Sequence, residues 1–294
     1  RLVNTASRSP MAPILARMPV ASKRCRIKRI LSSPISSVIS VALKIVSANK
    51  AFILAANFDA PSWVSSVSIN SNIFYLDRTD HDEAILRVKI IKVSRGSSMG
   101  AVELIQNDKT TCIFNGLCTD LDKLSGFSDL PSPLPNNFHK TKESDFQVMN
   151  YDHLKEGFTP NFIKQLNIKV DPDHAWWSRA DFNGNFEARC SAYIELEGGT
   201  PDQYMLSYFS DILPPVTINK YGPIGWIPTL SLTTNIRQLP TTDKLFIDGT
   251  ATDIINGYFE QNVNIWDLNE NLILTSRQIA KILKSSEKLS KFKK

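Results

Sequence analysis

Hydrophobic and polar residues alternate in short runs along most of this chain, and those runs predict strands. Val64 to Leu76 places Val67, Ile69, Ile73 and Tyr75 on one face. Ile85 to Val93 sets Ile85, Arg87 and Lys89 against Leu86, Val88 and Ile90. Arg95-Gly96 is a turn. Met99 to Gln106 and Thr110 to Cys118 then read as two strands joined by an Asn107-Asp108 hairpin turn. Leu124 to Glu143 breaks the pattern with Pro131, Pro133, Pro135, Asn136 and Asn137, which marks a boundary. Beyond it the alternation resumes over Asn185 to Glu197, Thr229 to Arg237, Leu245 to Asp253, Gly257 to Trp266 and Leu272 to Leu283.

Two stretches keep helical spacing instead. Ile35 to Lys50 carries Val38, Ile39, Val41, Ala42 and Ile45 on one side. Gln203 to Leu213 carries Met205, Tyr208, Phe209 and Ile212. Thr200 to Gln203 reads as its capping box, with Pro201 at the first helical position, and Pro214-Pro215 stops it. Helix, long strand and three-stranded meander thus occur twice. The Gln106–Asp108 turn corresponds to the Trp266–Leu268 turn. A repeat of this length predicts two similar half-domains, each of α+β class, with antiparallel strands beside one helix.

Charge divides the 294 residues differently. The net charge is +5, yet residues 1–58 hold ten Lys or Arg and no Asp or Glu. The remaining 24 basic residues face 29 acidic ones, so the body is mildly acidic and offers no electrostatic footprint for nucleic acid. The leader around Lys23-Arg24-Cys25-Arg26-Ile27-Lys28-Arg29 is Arg- and Ser-rich. That composition fits a mitochondrial targeting segment or a disordered tail, and residues 1–30 are expected to add little to the core. The most apolar run, Val38 to Ala56, is interrupted by Lys44, Ser47, Asn49 and Lys50, which argues against a membrane span. Cys25, Cys112, Cys118 and Cys190 lack C-x-x-C spacing, and His81, His139, His153 and His174 lack ligand pairing. No metal site, cofactor site or disulfide framework is expected.

Candidate chemistry centres on Asp211. It falls in the last turn of its helix, where the macrodipole disfavours negative charge. It is either a solvated residue or a functional one. Rival schemes are poor. Nothing local supports a Cys190–His174 pair, and Gly96-Ser97-Ser98-Met99-Gly100 lacks the Lys and the helix of a phosphate loop. Trp176-Trp177 reads as core or groove.

The second half resembles the thioesterase II family of acyl-CoA thioesterases, which are double-hotdog proteins. The resemblance rests on Gly198-Gly199-Thr200-Pro201-Asp202, Ser210-Asp211, Pro228 to Arg237, Trp266-Asp267 and Ser276-Arg277-Gln278. It implies an Asp, Thr, Gln site at Asp211, Thr233 and Gln278, with Asn115 at the first-half place of Gln278 and hence one active site. Asp211 would act as general base, with Thr233 and Gln278 holding the water, and backbone N–H groups near Gly199 would meet the oxyanion. The implied reaction is hydrolysis of acyl-CoA to a free acid and coenzyme A.

The first half departs from the family. Leu31 to Ser37 stands where the family has Gly-Gly-Tyr, and no first strand is evident in residues 1–30. The expected organisation is a basic leader (1–30), a degenerate, truncated first hotdog (31–123), a linker (124–143), a second hotdog (144–286) and a basic tail (287–294). That damage favours the alternative of an inactive hotdog serving as an acyl-CoA-binding or assembly module. The resemblance implies a cytoplasmic or peroxisomal protein, although Lys291-Phe292-Lys293-Lys294 is not the usual peroxisomal address, and it leaves a homo-oligomer open.

Overall fold

In the computed structural model of the chain, the described residues include twelve strands that form one antiparallel sheet. The structure describes residues 23–27, 48–49, 51–53, 66–79, 83–129, 133–140, 142–149, 166–179, 181–182, 185–196 and 199–283. The strands are β1 (Lys23–Ile27), β2 (Ser66–Tyr75), β3 (Ala84–Val93), β4 (Ser98–Gln106), β5 (Lys109–Asp120), β6 (Gln147–Val148), β7 (Leu166–Val170), β8 (Arg189–Leu196), β9 (Thr229–Ile236), β10 (Lys244–Thr250), β11 (Tyr258–Asp267) and β12 (Leu272–Lys281). Their spatial order is β1-β3-β4-β5-β2-β9-β12-β11-β10-β8-β7-β6.

Read outward from the central β2·β9 pair, the same order occurs on both sides. β2 leads to β5, β4 and β3; β9 leads to β12, β11 and β10. The two halves meet where Asn72 pairs with Thr233. Polar side chains hold this seam. Asn72 Nδ2 donates to Thr233 Oγ1 (2.9 Å), and Asn70 Nδ2 donates to Asn235 Oδ1 (2.8 Å). Even an irregularity repeats. The β2·β5 ladder slips between Ser68 and Asn70, and the β9·β12 ladder slips between Ile279 and Ala280.

The strands follow the alternation closely. β11 alternates exposed or half-buried residues with buried Phe259, Gln261, Val263 and Ile265. The β4–β5 turn is the expected Asn107-Asp108 pair, both at positive φ (50° and 58°), which suits the twist of a two-residue hairpin. The β11–β12 turn is built around Asp267. Its Oδ1 accepts from the Asn269 and Asn271 N–H groups, and its Oδ2 from Thr241 Oγ1 at 2.6 Å. Burial alone would raise its pKa, but the hydrogen bonds from Thr241 and Asn271 outweigh it and hold the carboxyl below its ordinary value.

Three short α-helices lie among the described residues: α1 (Asn136–Lys140), α2 (Gln203–Phe209) and α3 (Thr217–Tyr221). Residues 48–49 and 51–53 are also helical; the rest of the expected Ile35–Lys50 helix lies outside the described residues. α2 ends at Phe209, not Leu213. Its cap is Asp202, whose carboxylate accepts from the Tyr204 and Met205 N–H groups (2.9 and 2.8 Å). Thr200, expected in that role, donates its hydroxyl to Asp243 instead.

α2 lies between two cores. Leu206, Tyr208 and Phe209 pack with Ile212, Leu213, Val216 and the inner faces of β8 to β12. Tyr204 packs against the first-half core of Phe52, Leu86, Val102, Leu104 and Phe114.

Two expectations change. Lys23–Ile27, assigned to an unstructured leader, forms β1 and pairs with β3 from Lys23↔Val88 to Ile27↔Ala84. The remainder of residues 1–30 lies outside the described residues. The stretch read as a linker is also partly docked. Phe138, like Phe146 just beyond that stretch, meets Phe246 edge-on (5.1 and 6.4 Å between centroids), and Glu143 takes Lys169 and Lys244 at 3.0 and 2.7 Å. Those aromatics cover the sheet face opposite the main core, because Phe246 points one way and its neighbours Leu245 and Ile247 the other.

Candidate active site

Asp211 sits two residues past α2, in a turn closed by its own N–H donating to the Tyr208 carbonyl (3.3 Å). The backbone before it is fixed from the sheet. Ser276 Oγ on β12 donates to the Ser210 carbonyl at 2.9 Å, and both residues are buried. The backbone after it is fixed too. Gln261 Oε1 on β11 accepts from the Val216 N–H at 2.9 Å, with Gln261 1% exposed.

Gln278 lies directly across the β11·β12 ladder from Gln261 and is buried on the same face. Thr229 Oγ1 donates to Gln278 Oε1 at 3.2 Å, and the Thr229 side chain is also hydrogen-bonded to Asp211. The three residues therefore form a chain, Asp211–Thr229–Gln278. A hydroxyl has one proton and two acceptor positions, and a Gln amide donates and accepts. When the carboxylate is charged, Thr229 donates to it, and the Gln278 amide, turned by half a rotation, donates to the hydroxyl oxygen.

Asp211 keeps part of its surface open, but the protein packed around it raises its carboxyl pKa from 3.8 to about 7. Burial is the dominant cause; the Thr229 hydrogen bond pulls the other way. A carboxyl at that value changes charge near neutral pH, as a general base requires.

Of the expected residues, the structure brings Asp211 and Gln278 together and leaves Thr233 apart. Gln278 pairs with Leu232, whereas Thr233 pairs with Arg277 and Asn72. One step along a strand reverses the side chain, so Thr233 lies on the outer face, its hydroxyl accepting from Asn72. Thr229 takes its place. Counting by twos from Thr233 puts Thr229 on the outer face as well. The bulge that pairs Ile279 with Ser231 but Ala280 with Thr229 turns it inward. Alternation in the sequence carries no signal for this; only the ladder slip does.

The start of α2 is likewise removed from the site. Gly199 is exposed, and about 12 Å of helix and turn separate Gln203 from Asp211. Cys190 and His174 form no nucleophilic pair. Burial pushes the Cys190 thiol far up, and His174 Nδ1 accepts from the Ser191 N–H at 3.1 Å. Among the described residues, no group of three or more His, Cys, Asp or Glu is placed to hold a metal ion, and no helix is long and apolar enough to cross a membrane.

Residues 137–282 match the family model of the acyl-CoA thioesterase C-terminal domain. This half of the chain belongs to the thioesterase II-like hotdog family. No curated protein matches the chain in sequence. Solved structures resemble the chain over nearly its whole length at low identity, which shows the hotdog fold. A protein described as a candidate thioesterase II from Thermobifida fusca is 17% identical with a TM-score of 0.69, covering 89% of this chain and 92% of its own. A hotdog-fold protein of unknown function from Alicyclobacillus acidocaldarius is 12% identical with a TM-score of 0.70, covering 91% and 95%. An acyl-CoA thioesterase II from Mycobacterium marinum is 12% identical with a TM-score of 0.60, covering 92% and 96%.

Within this hotdog protein the first half holds a counterpart of the site. The pairs Ser71↔Gly116 and Gly100↔Gly116 repeat Leu232↔Gln278 and Gln261↔Gln278. Gly116 thus stands for Gln278, one residue from the expected Asn115, and Gly100 stands for Gln261. Both glycines lie under Phe52. A Cβ at Gly100 or Gly116 would fall 2.6 or 2.7 Å from its ring.

Proposed function

We propose that the chain is an acyl-CoA thioesterase with one hydrolytic site, at Asp211, Thr229 and Gln278. We further read its architecture as an α+β double hotdog, two hotdogs joined edge to edge through β2 and β9. The observation that carries the activity is the hydrogen-bonded chain from Asp211, whose carboxyl burial raises to a pKa of about 7, through Thr229 to Gln278. The family match of residues 137–282 supplies the reaction class.

The residues divide the chemistry as follows. Charged Asp211 accepts a proton from a water as the water oxygen bonds to the thioester carbonyl carbon. The carbonyl π pair moves onto its oxygen. When that pair returns, the C–S bond breaks, and the coenzyme A thiolate leaves and is protonated, by Asp211 or by solvent. Thr229 and Gln278 hold the water and carboxylate in register; they take no proton themselves. Thr233 stays outside this machinery because its hydroxyl is spent on the seam between the halves.

Thiol release from acyl-CoAs of several chain lengths tests the reading. Hydrolysis should rise with pH on an acid limb near pH 7, because Asp211 must be charged to act. Binding of acyl-CoA with no thiol release at any pH from 6 to 9 would replace the enzyme with the binding-module reading. The glycine-and-phenylalanine filling of the first-half counterpart is what gives that second reading substance.

A further inference from the structure

Tyr75 closes the Asp211 site from the other half of the molecule. It is the last residue of β2, whose ladder with β9 ends at Phe74↔Ser231, so it stands beside the start of β9 where Thr229 is. Phe74 is 46% exposed on the outer face, and the next residue must point inward. The Tyr75 ring packs against the first-half core, and its hydroxyl oxygen is buried. A second first-half contact holds α2 in place: buried Asn49 donates to Ser207 Oγ, one helical turn before Asp211.

We propose that Tyr75 is a further catalytic residue, whose phenol O–H donates a hydrogen bond to the carbonyl oxygen of the thioester bound between Asp211, Thr229 and Gln278. This rests on the reading of that site as a thioesterase centre. The site needs such a donor. Negative charge develops on the carbonyl oxygen as water adds, and the N-terminus of α2 is too distant to meet it. Tyr75 keeps its proton throughout. Burial raises its pKa well above 10, and the Asp211 carboxylate and the Cys112 thiol across the β2·β5 ladder raise it further. The phenol is therefore close enough to feel the Asp211 charge, while the group hydrogen-bonded to that carboxylate is Thr229. Donor and base thus come from different elements, Tyr75 from the end of β2 and Asp211 from the turn after α2.

The test uses the full chain and octanoyl-CoA. Tyr75→Phe keeps the ring, so thermal stability should hold. kcat should fall by about 10² to 10³, the usual loss for one oxyanion donor, with KM little changed and the acid limb still near pH 7. An independent arm reads the carbonyl itself. In Asp211→Asn protein, which holds the substrate unreacted, the infrared band of ¹³C=O octanoyl-CoA should shift to lower frequency on binding, and adding Tyr75→Phe should abolish most of that shift. Full turnover in Tyr75→Phe with an unchanged carbonyl band would overturn the proposal. If the wild type releases no thiol, yet the band shift depends on Tyr75, the thioesterase reading fails and the Tyr75 contact stands.

Discussion

The two halves share one ladder geometry and fill the same place with opposite chemistry. In the second half, Gln261 and Gln278 face each other across β11 and β12, beneath a turn that carries Asp211. In the first half, Gly100 and Gly116 face each other across β4 and β5, and Phe52 lies on them. The matching bulge is present in both, bringing Thr229 to Ala280 in one and Ser68 to Cys118 in the other. The bulge therefore belongs to the fold, and what differs is the side chains around it, Gln261 and Gln278 in one half and Gly100, Gly116 and Phe52 in the other. A pair of amides presents buried hydrogen-bonding groups, taken up by Val216 N–H and Thr229 Oγ1; a pair of glycines admits an aromatic ring and becomes core.

The largest effect should come from removing the base. Asp211→Asn keeps the shape and loses the proton acceptor, so octanoyl-CoA turnover should drop by about 10² to 10⁴. A variant with full turnover would move the base elsewhere and dissolve the contrast between the halves.

Phe52→Ala tests the other side. It empties the space over Gly100 and Gly116 and should cost about 3–5 kcal/mol in a denaturant titration, with Gly116→Ala costing about 1–3 kcal/mol from overpacking. A Phe52→Ala protein of unchanged stability would mean that the ring does not fill the first-half counterpart.

The pH dependence of stability should also mark the second half alone. The folded pKa of Asp211, about 7, lies above its ordinary 3.8. The folded state thus holds this proton more tightly than the unfolded chain. That contribution is complete below pH about 4 and is lost as pH rises through 7. Asp211→Asn removes the charging penalty. Measured by thermal melts, the variant should gain on the wild type between pH 5 and pH 8, by up to a few kcal/mol. A constant difference across that range would deny the raised pKa.

The finest contrast lies within β9. Thr229→Val should lower turnover about tenfold, a loss of about 1.4 kcal/mol. Thr233→Val should leave turnover alone and cost only about 0.5–1 kcal/mol of stability, from its hydrogen bond to Asn72. Equal effects on turnover would return Thr233 to the site.

Much of this was legible in the residues. The strand boundaries came from period-two alternation, which is local and dictated by which face is buried; β3, β4, β9, β11 and β12 lie within two residues of the expected spans. Asp211 stood out as a carboxylate in the last turn of a helix, where the macrodipole disfavours it, and Gln278 only through the resemblance to the thioesterase II family. β1, β6 and β7 were missed. β6 has only two residues, β7 alternates as Leu166-Asn167-Ile168-Lys169-Val170 but over just five, and β1 sits in a run dense with Lys and Arg.

The sequence by itself determined the repeat, the sheet-forming runs and the carboxyl at the end of a capped helix, because those depend on neighbours along the chain. Only the tertiary structure decided which threonine meets Asp211 and Gln278, since one slipped residue in a ladder reverses a side chain and leaves no trace in composition. It alone brought Tyr75 within reach of the Asp211 charge and Phe52 over the glycine pair, because these residues, 136 and up to 64 positions apart, meet only where helical segments pack on the sheet.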